Sequence, residues 1–175
     1  MAGPVVGLWL FDEARGAQDV VAGLLPWLET FCDPVRPAGD GHADFWIADA
    51  RPLGLKQADV DGTGCFTLGA DEQIPADDED YAAFSRPPTH GIALFAGSSG
   101  RPNHRTLGHL ALTLARRLDA PIDFDGMLFE GPSPFPGTLR EVSYDTGDGE
   151  RSVRHVGDAE FLAAWLRHPG FHLVK

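Results

Sequence analysis

The segment 90–129, HGIALFAGSSGRPNHRTLGHLALTLARRLDAPIDFDGMLF, constrains the fold more than any other part of the chain. A strand, a glycine-containing turn, an amphipathic helix and a second strand follow one another in it. Leu107, Leu110, Ala111, Leu114 and Leu118 fall at offsets of 3, 4, 7 and 11, so at about 100° per residue they share one stripe facing a core. The helix is expected to be capped by Asn103, whose side-chain oxygen can accept from the unpaired amides of the first turn. Arg116 and Arg117 lie in its last turn, where the negative end of the helix dipole favours cations. Asp119 and Pro121 end it, since proline disfavours helical geometry in the residue before it. Ile92, Leu94 and Phe95 before it, and Ile122 and Phe124 after it, read as flanking strands. The apolar residues are spaced for burial, and no set of reactive groups converges within the segment.

The rest of the chain alternates in a similar way. Residues 5–11, VVGLWLF, read as a central strand. A helix is expected from 19 to 31 on the face shared by Val20, Leu24, Trp27, Leu28 and Phe31. Pro26 should kink or divide it, because an uncompensated proline inside a helix costs ~3 kcal/mol. Residues 33–41 read as a loop, 43–48 and 65–68 as strands, and 78–84 as a short helix halted by Pro87 and Pro88. The stretch 131–137, GPSPFPG, must turn or cross rather than form a central strand. Alternating polar and apolar residues at 139–144 and 152–156 predict a half-exposed antiparallel pair. A last helix is expected over 158–167, with Asp158 as its cap, Phe161, Leu162, Trp165 and Leu166 as its buried stripe, and His168, Pro169 and Gly170 as its stop. Residues 171–174 can then close as an edge strand. The first six elements have the β-α-β-β-α-β order of a ferredoxin-like unit. The expected class is α+β, a single compact domain over 1–175 with a mostly antiparallel sheet and helices on one face.

Composition narrows the function. No apolar run approaches the ~20 residues that cross a bilayer, and no basic stretch precedes the first apolar run as it would in a signal peptide. Cys32 and Cys65 are too few and too far apart for a disulfide framework or a zinc site, so a reducing cytoplasm is the expected compartment. The net charge of −12 lies wholly in residues 1–80, which hold 16 Asp/Glu against 4 Lys/Arg, while residues 81–175 hold 10 of each. Six carboxylates, Asp71, Glu72, Asp77, Asp78, Glu79 and Asp80, crowd into the stretch DEQIPADDED. Such a run is either a solvated loop that maintains solubility or a docking surface whose field steers a basic protein partner. Nucleic acid is disfavoured as a partner, because a footprint on phosphates needs clustered Lys/Arg.

The groups that could carry chemistry are scattered. His104 and His109, five apart, would sit about 140° from one another on a helix, which is wrong for a shared metal. His168 and His172 have helical spacing, but Pro169 and Gly170 break the helix between them. Asp123 and Asp125 alternate along a strand and project to one side, where they could bind a cation, do acid–base work or simply face solvent. The GSSG turn at 97–100 has neither the spacing nor the lysine of a phosphate-binding loop, and Arg101 replaces the last glycine of a GxSxG elbow. No catalytic residue, metal or other cofactor is therefore expected.

Two blocks, GHLALTLARRLDAPIDFDG at 108–126 and DAEFLAAWLRHPGFHLVK at 158–175, resemble the signature blocks of an uncharacterised family of small bacterial proteins, a domain of unknown function whose members look like immunity proteins of polymorphic toxin systems. The resemblance implies a stoichiometric neutraliser rather than an enzyme and assigns no catalytic residues. The expectation is a non-catalytic protein-binding module, an immunity-type inhibitor that occludes a cognate basic toxin with its acidic first half. Its alternative is a metal-assisted or acid–base hydrolase using His168, His172, Asp123 and Asp125.

Overall fold

The structure is a computed structural model that describes residues 3–174 except 40, 72, 78 and 132. Its strands are β1 (Val5–Leu10), β2 (Cys32–Ala38), β3 (His42–Ile47), β4 (Phe66–Asp71), β5 (His90–Ala96), β6 (Ile122–Asp123), β7 (Leu139–Asp145) and β8 (Arg151–Gly157). Its helices are α1 (Ala17–Leu28), α2 (Gln57–Val60), α3 (Arg101–Leu118) and α4 (Ala159–Trp165). All eight strands join one sheet in the order β2-β3-β4-β5-β1-β6-β8-β7. Every neighbouring pair is antiparallel. This is the α+β class that the sequence predicts.

The period-two pattern of the strands divides the apolar residues between two faces. Val6, Leu8 and Leu10 of β1, Ile92 and Leu94 of β5, and Phe45 and Phe66 face the helices and join Leu107, Leu110, Leu114 and Phe161 in the main core. Four of the five residues of the α3 stripe, Leu107, Leu110, Ala111 and Leu114, are thus buried as their spacing requires, and Leu118 at the end is half-buried. Trp9 points the other way and forms a second, smaller core with Ile74, Val142 and Val156.

The ferredoxin-like order does not hold for the first half. A split β-α-β unit would set parallel strands side by side, whereas β2, β3, β4 and β5 form a consecutive meander and β5 returns beside β1. Two departures cause this. The stretch expected as a loop at 33–41 supplies β2, whose Pro34 and Pro37 are tolerated because the strand lies at the outer edge and needs one ladder fewer. The segment expected as a helix at 78–84 makes a single 3-10 turn, Tyr81–Ala83.

Other boundaries also shift for local reasons. Pro26 stays inside one continuous helix, α1, near enough to its end that few hydrogen bonds follow it. Gly100, at φ +141°, precedes α3 and takes the cap position expected of Asn103. Asn103 is buried instead; it accepts from Gly64 N at 3.1 Å and donates to Ser98 Oγ at 3.1 Å. Asp158 caps α4 as expected, accepting from Phe161 N at 2.8 Å. Residues 171–174 form no strand, although Val5 N donates to Val174 O at 3.4 Å. Among the described residues no helix is long and apolar enough to cross a membrane.

Candidate functional site

The site is built on the sheet face that carries no helices, where the acidic stretch is laid down as a strap. Ile74, Tyr81 and Phe84 pack on Trp9, with ring centroids 5.3 Å and 5.4 Å from the indole for Tyr81 and Phe84. The strap also pairs with the outer edge of β7, through a bridge between Glu79 and Tyr144 and a 2.8 Å bond from Asp80 N to Ser143 O. An exposed edge strand is a template for unwanted pairing, and this contact covers part of it.

A buried charge cluster fastens the strap. Arg154, on β8, bridges Glu79 Oε1 and Asp123 Oδ2, each at 3.0 Å, and its guanidinium lies 4.6 Å from the centroid of the Tyr144 ring. The Glu79 side chain is only 2% exposed and that of Asp123 only 6%, so both carboxylates depend on this one cation. Tyr81 donates its hydroxyl proton to Glu79 Oε2 and accepts from Ala76 N at 2.9 Å. Burial, followed by the Glu79 bond, pushes the Tyr81 phenol above its ordinary value. Asp123 accepts from Asp125 N at 2.8 Å. Burial outweighs the Arg154 guanidinium and pushes the Asp123 carboxyl up to about 6.

Beside the strap the same face lies open. A groove of about 490 Å³ runs over Val5, His42, Ala93 and Phe95 between Asp71 and Asp125. Phe95 is 37% exposed, an unusual position for a large apolar side chain. The groove leads into a hollow of about 180 Å³ walled by Asp71, Glu79, Asp123, Asp125 and Arg154. Glycines let side chains lie close to the sheet: a Cβ at Gly69 would fall 2.3 Å from His42 Cδ2, and one at Gly7 would fall 3.2 Å from Asp123 Cβ. Further along, Arg36 stacks over Trp46 at 5.2 Å and Thr67 donates to Asp44 at 2.6 Å. An apolar strip rimmed by charge is the anatomy of a protein-binding surface.

The six carboxylates of the strap divide by role. Glu79 points inward and holds the strap, so it is unavailable to a partner. Asp77 and Asp80 are exposed, and Asp71 is half-buried at the groove. Glu72 and Asp78 lie outside the described residues.

The four groups of the hydrolase alternative do not meet. Asp123 is committed to Arg154, and Asp125 occupies a turn at φ +57°. On the helix side His168 stacks on Trp165 at 5.1 Å, and His172 packs edge-on to the same indole at 5.6 Å. Trp165 Nε1 donates to His172 O at 3.0 Å, so the WLRHPGFH ending is a packed turn around one tryptophan. His104 and His109 are likewise apart: His104 Nδ1 accepts from Leu173 N at 3.1 Å, while His109 Nδ1 faces Leu53 O at 3.1 Å. Among the described residues no group of three or more His, Cys, Asp or Glu is placed to hold a metal ion.

Sequence reasoning missed Arg154 as the partner of both carboxylates, because 75 residues separate it from Glu79. It also missed the exposure of Phe95, which reads as core in an apolar strand.

Fold and site together define an antiparallel α+β protein whose helix-free face is half covered by an acidic strap and half open. The chain belongs to DUF6368, a family of unknown function, whose sequence pattern matches residues 2–175 and so spans the acidic first half as well as the two C-terminal blocks. No curated protein and no solved structure matches it.

Proposed function

We propose that this chain is a non-catalytic protein-binding module that docks a basic partner on its helix-free sheet face. In its specific form the reading is an immunity-type inhibitor that occludes a cognate toxin domain. The observation that carries it is the open strip containing Phe95, edged by Asp71 and Asp125 and flanked by the strap with Asp77 and Asp80. The strap is preorganised by Arg154 and Trp9, so a partner would meet carboxylates already in place and bind with little ordering cost. Net charge −12 supplies the long-range attraction, and the apolar strip around Phe95 supplies the desolvated contact from which most affinity comes.

The test is co-expression with the product of the adjacent gene, followed by co-purification and a growth assay. The reading predicts a one-to-one complex and relief of toxicity. Replacing Asp71, Asp77 and Asp80 by Asn should slow association roughly tenfold or more at low salt and much less at high salt. Absence of a complex, or a triple variant that associates at the wild-type rate at low salt, would count against it.

A further inference from the structure

The helix side carries a second surface of opposite sign. Arg105, His109, Leu112, Thr113 and Arg116 follow one another along α3 at offsets of 4, 7, 8 and 11, forming one stripe. With Arg167, just beyond α4, and the turn at Leu53 and Gly54, they enclose a cleft of about 510 Å³. Small-molecule sites occupy roughly 300–1,000 Å³.

The chemistry of the cleft is one-sided. Its floor is Leu53, Leu112, Ala163 and Leu166, its charged groups are the three arginines, and among the described residues no carboxylate lines it. Among the described residues none of the three guanidinium groups forms an ion pair or a hydrogen bond. Three like charges thus gather without a side-chain partner in a protein with 26 Asp and Glu, although Arg116 also borders a hollow lined by Asp119, Asp158 and Glu160. His109 adds a different group. Its Nδ1 lies 3.1 Å from Leu53 O, and a carbonyl only accepts, so Nδ1 carries the proton and Nε2 keeps its lone pair in the neutral ring. Burial first, and Arg105 after it, hold this imidazole below its ordinary pKa.

We infer that the cleft binds a phosphorylated small molecule of about nucleotide size, with its phosphates on Arg105, Arg116 and Arg167 and its body on the leucine floor. Guanidinium forks pair with carboxylate or phosphate in bidentate fashion. Three of them lining one cleft match the several oxygens and higher charge of phosphate better than the two oxygens of a single carboxylate. The apolar floor asks for an organic body, which inorganic phosphate lacks, and the His109 lone pair asks for a hydrogen-bond donor on that body. This site does not depend on the docking role of the other face.

Calorimetric titration of the full chain with ATP, AMP, pyrophosphate and citrate tests the inference. ATP should bind at one site and more tightly than pyrophosphate, with a saturable shift of the His109 ring-proton resonances. Arg105→Ala and Arg116→Ala should each weaken binding roughly tenfold, the size of one charge-assisted hydrogen bond. Arg151→Ala, an exposed arginine on β8 outside the cleft, should change binding less than about twofold, as a screened distant charge would. All three arginines replaced are solvent-exposed, and unchanged thermal unfolding of each variant establishes that it folds. The inference is overturned if no phosphorylated probe binds, if citrate binds as tightly as ATP, or if Arg151→Ala weakens binding as much as the cleft variants do.

Discussion

Replacing Arg154 by Met keeps the volume of the side chain and removes its charge, leaving Glu79 and Asp123 buried with no counter-ion. Truncating one partner of a buried ion pair costs about 3–5 kcal/mol, mostly through the stranded charge. For a domain of this size each kcal/mol lowers Tm by about 2–4 °C, so the variant should melt roughly 6–20 °C below wild type. The loss should depend on pH, and its sign follows from Asp123. Its folded value of about 6 lies above the 3.8 of an ordinary aspartate. Its contribution to stability is therefore fully present below about pH 4 and lost as pH rises through about 6. Keeping that carboxylate charged at pH 7 already costs wild type on the order of 3 kcal/mol. Without the guanidinium the folded value rises further, so Arg154→Met should be damaged more at pH 8 than at pH 5, where the stranded carboxyls take up protons. Urea unfolding at the two pH values measures both quantities. A loss under about 1 kcal/mol, or one of equal size at both pH values, would refute the claim that Arg154 neutralises two buried carboxylates.

Three further outcomes follow from local geometry. Asp158→Ala removes the acceptor of both Phe161 N and Thr138 N and should cost about 1–2 kcal/mol by chemical denaturation. Gly137→Ala puts a Cβ 2.2 Å from Phe161 N at a position with φ +88°, so it should cost about 2 kcal/mol or more, and a neutral result would contradict the close approach of this turn to α4. Cys32 is buried, and burial pushes its thiol up to about 12; it should resist alkylation at pH 8 in the native protein and react once the protein is unfolded.

Much of the architecture was legible because it is written locally. The α3 stripe, the β7–β8 pair and the Asp158 cap each follow from residues within about twenty positions of one another. The edge strand β2 was hidden by Pro34 and Pro37, which argue against a strand unless its place in the sheet is known. The strap was hidden by its own composition: Ile74, Tyr81 and Phe84 are a minority among carboxylates, and nothing local shows that they cover Trp9. Pairing of Glu79 and Asp123 with Arg154 depends on sheet order, which propensity and periodicity do not encode. The cleft was half visible, since Arg105 and Arg116 share a face of any helix drawn through them. Arg167 joins them only because α4 packs on α3.

The docking face is tested most directly by Phe95→Asp in an affinity titration against the product of the adjacent gene. Phe95 is 37% exposed, so the variant should lose some thermal stability yet stay folded at the assay temperature, by circular dichroism, while binding at least about thirtyfold more weakly, the loss expected of a central aromatic contact. Wild-type affinity in a folded Phe95→Asp protein would contradict the proposed binding surface.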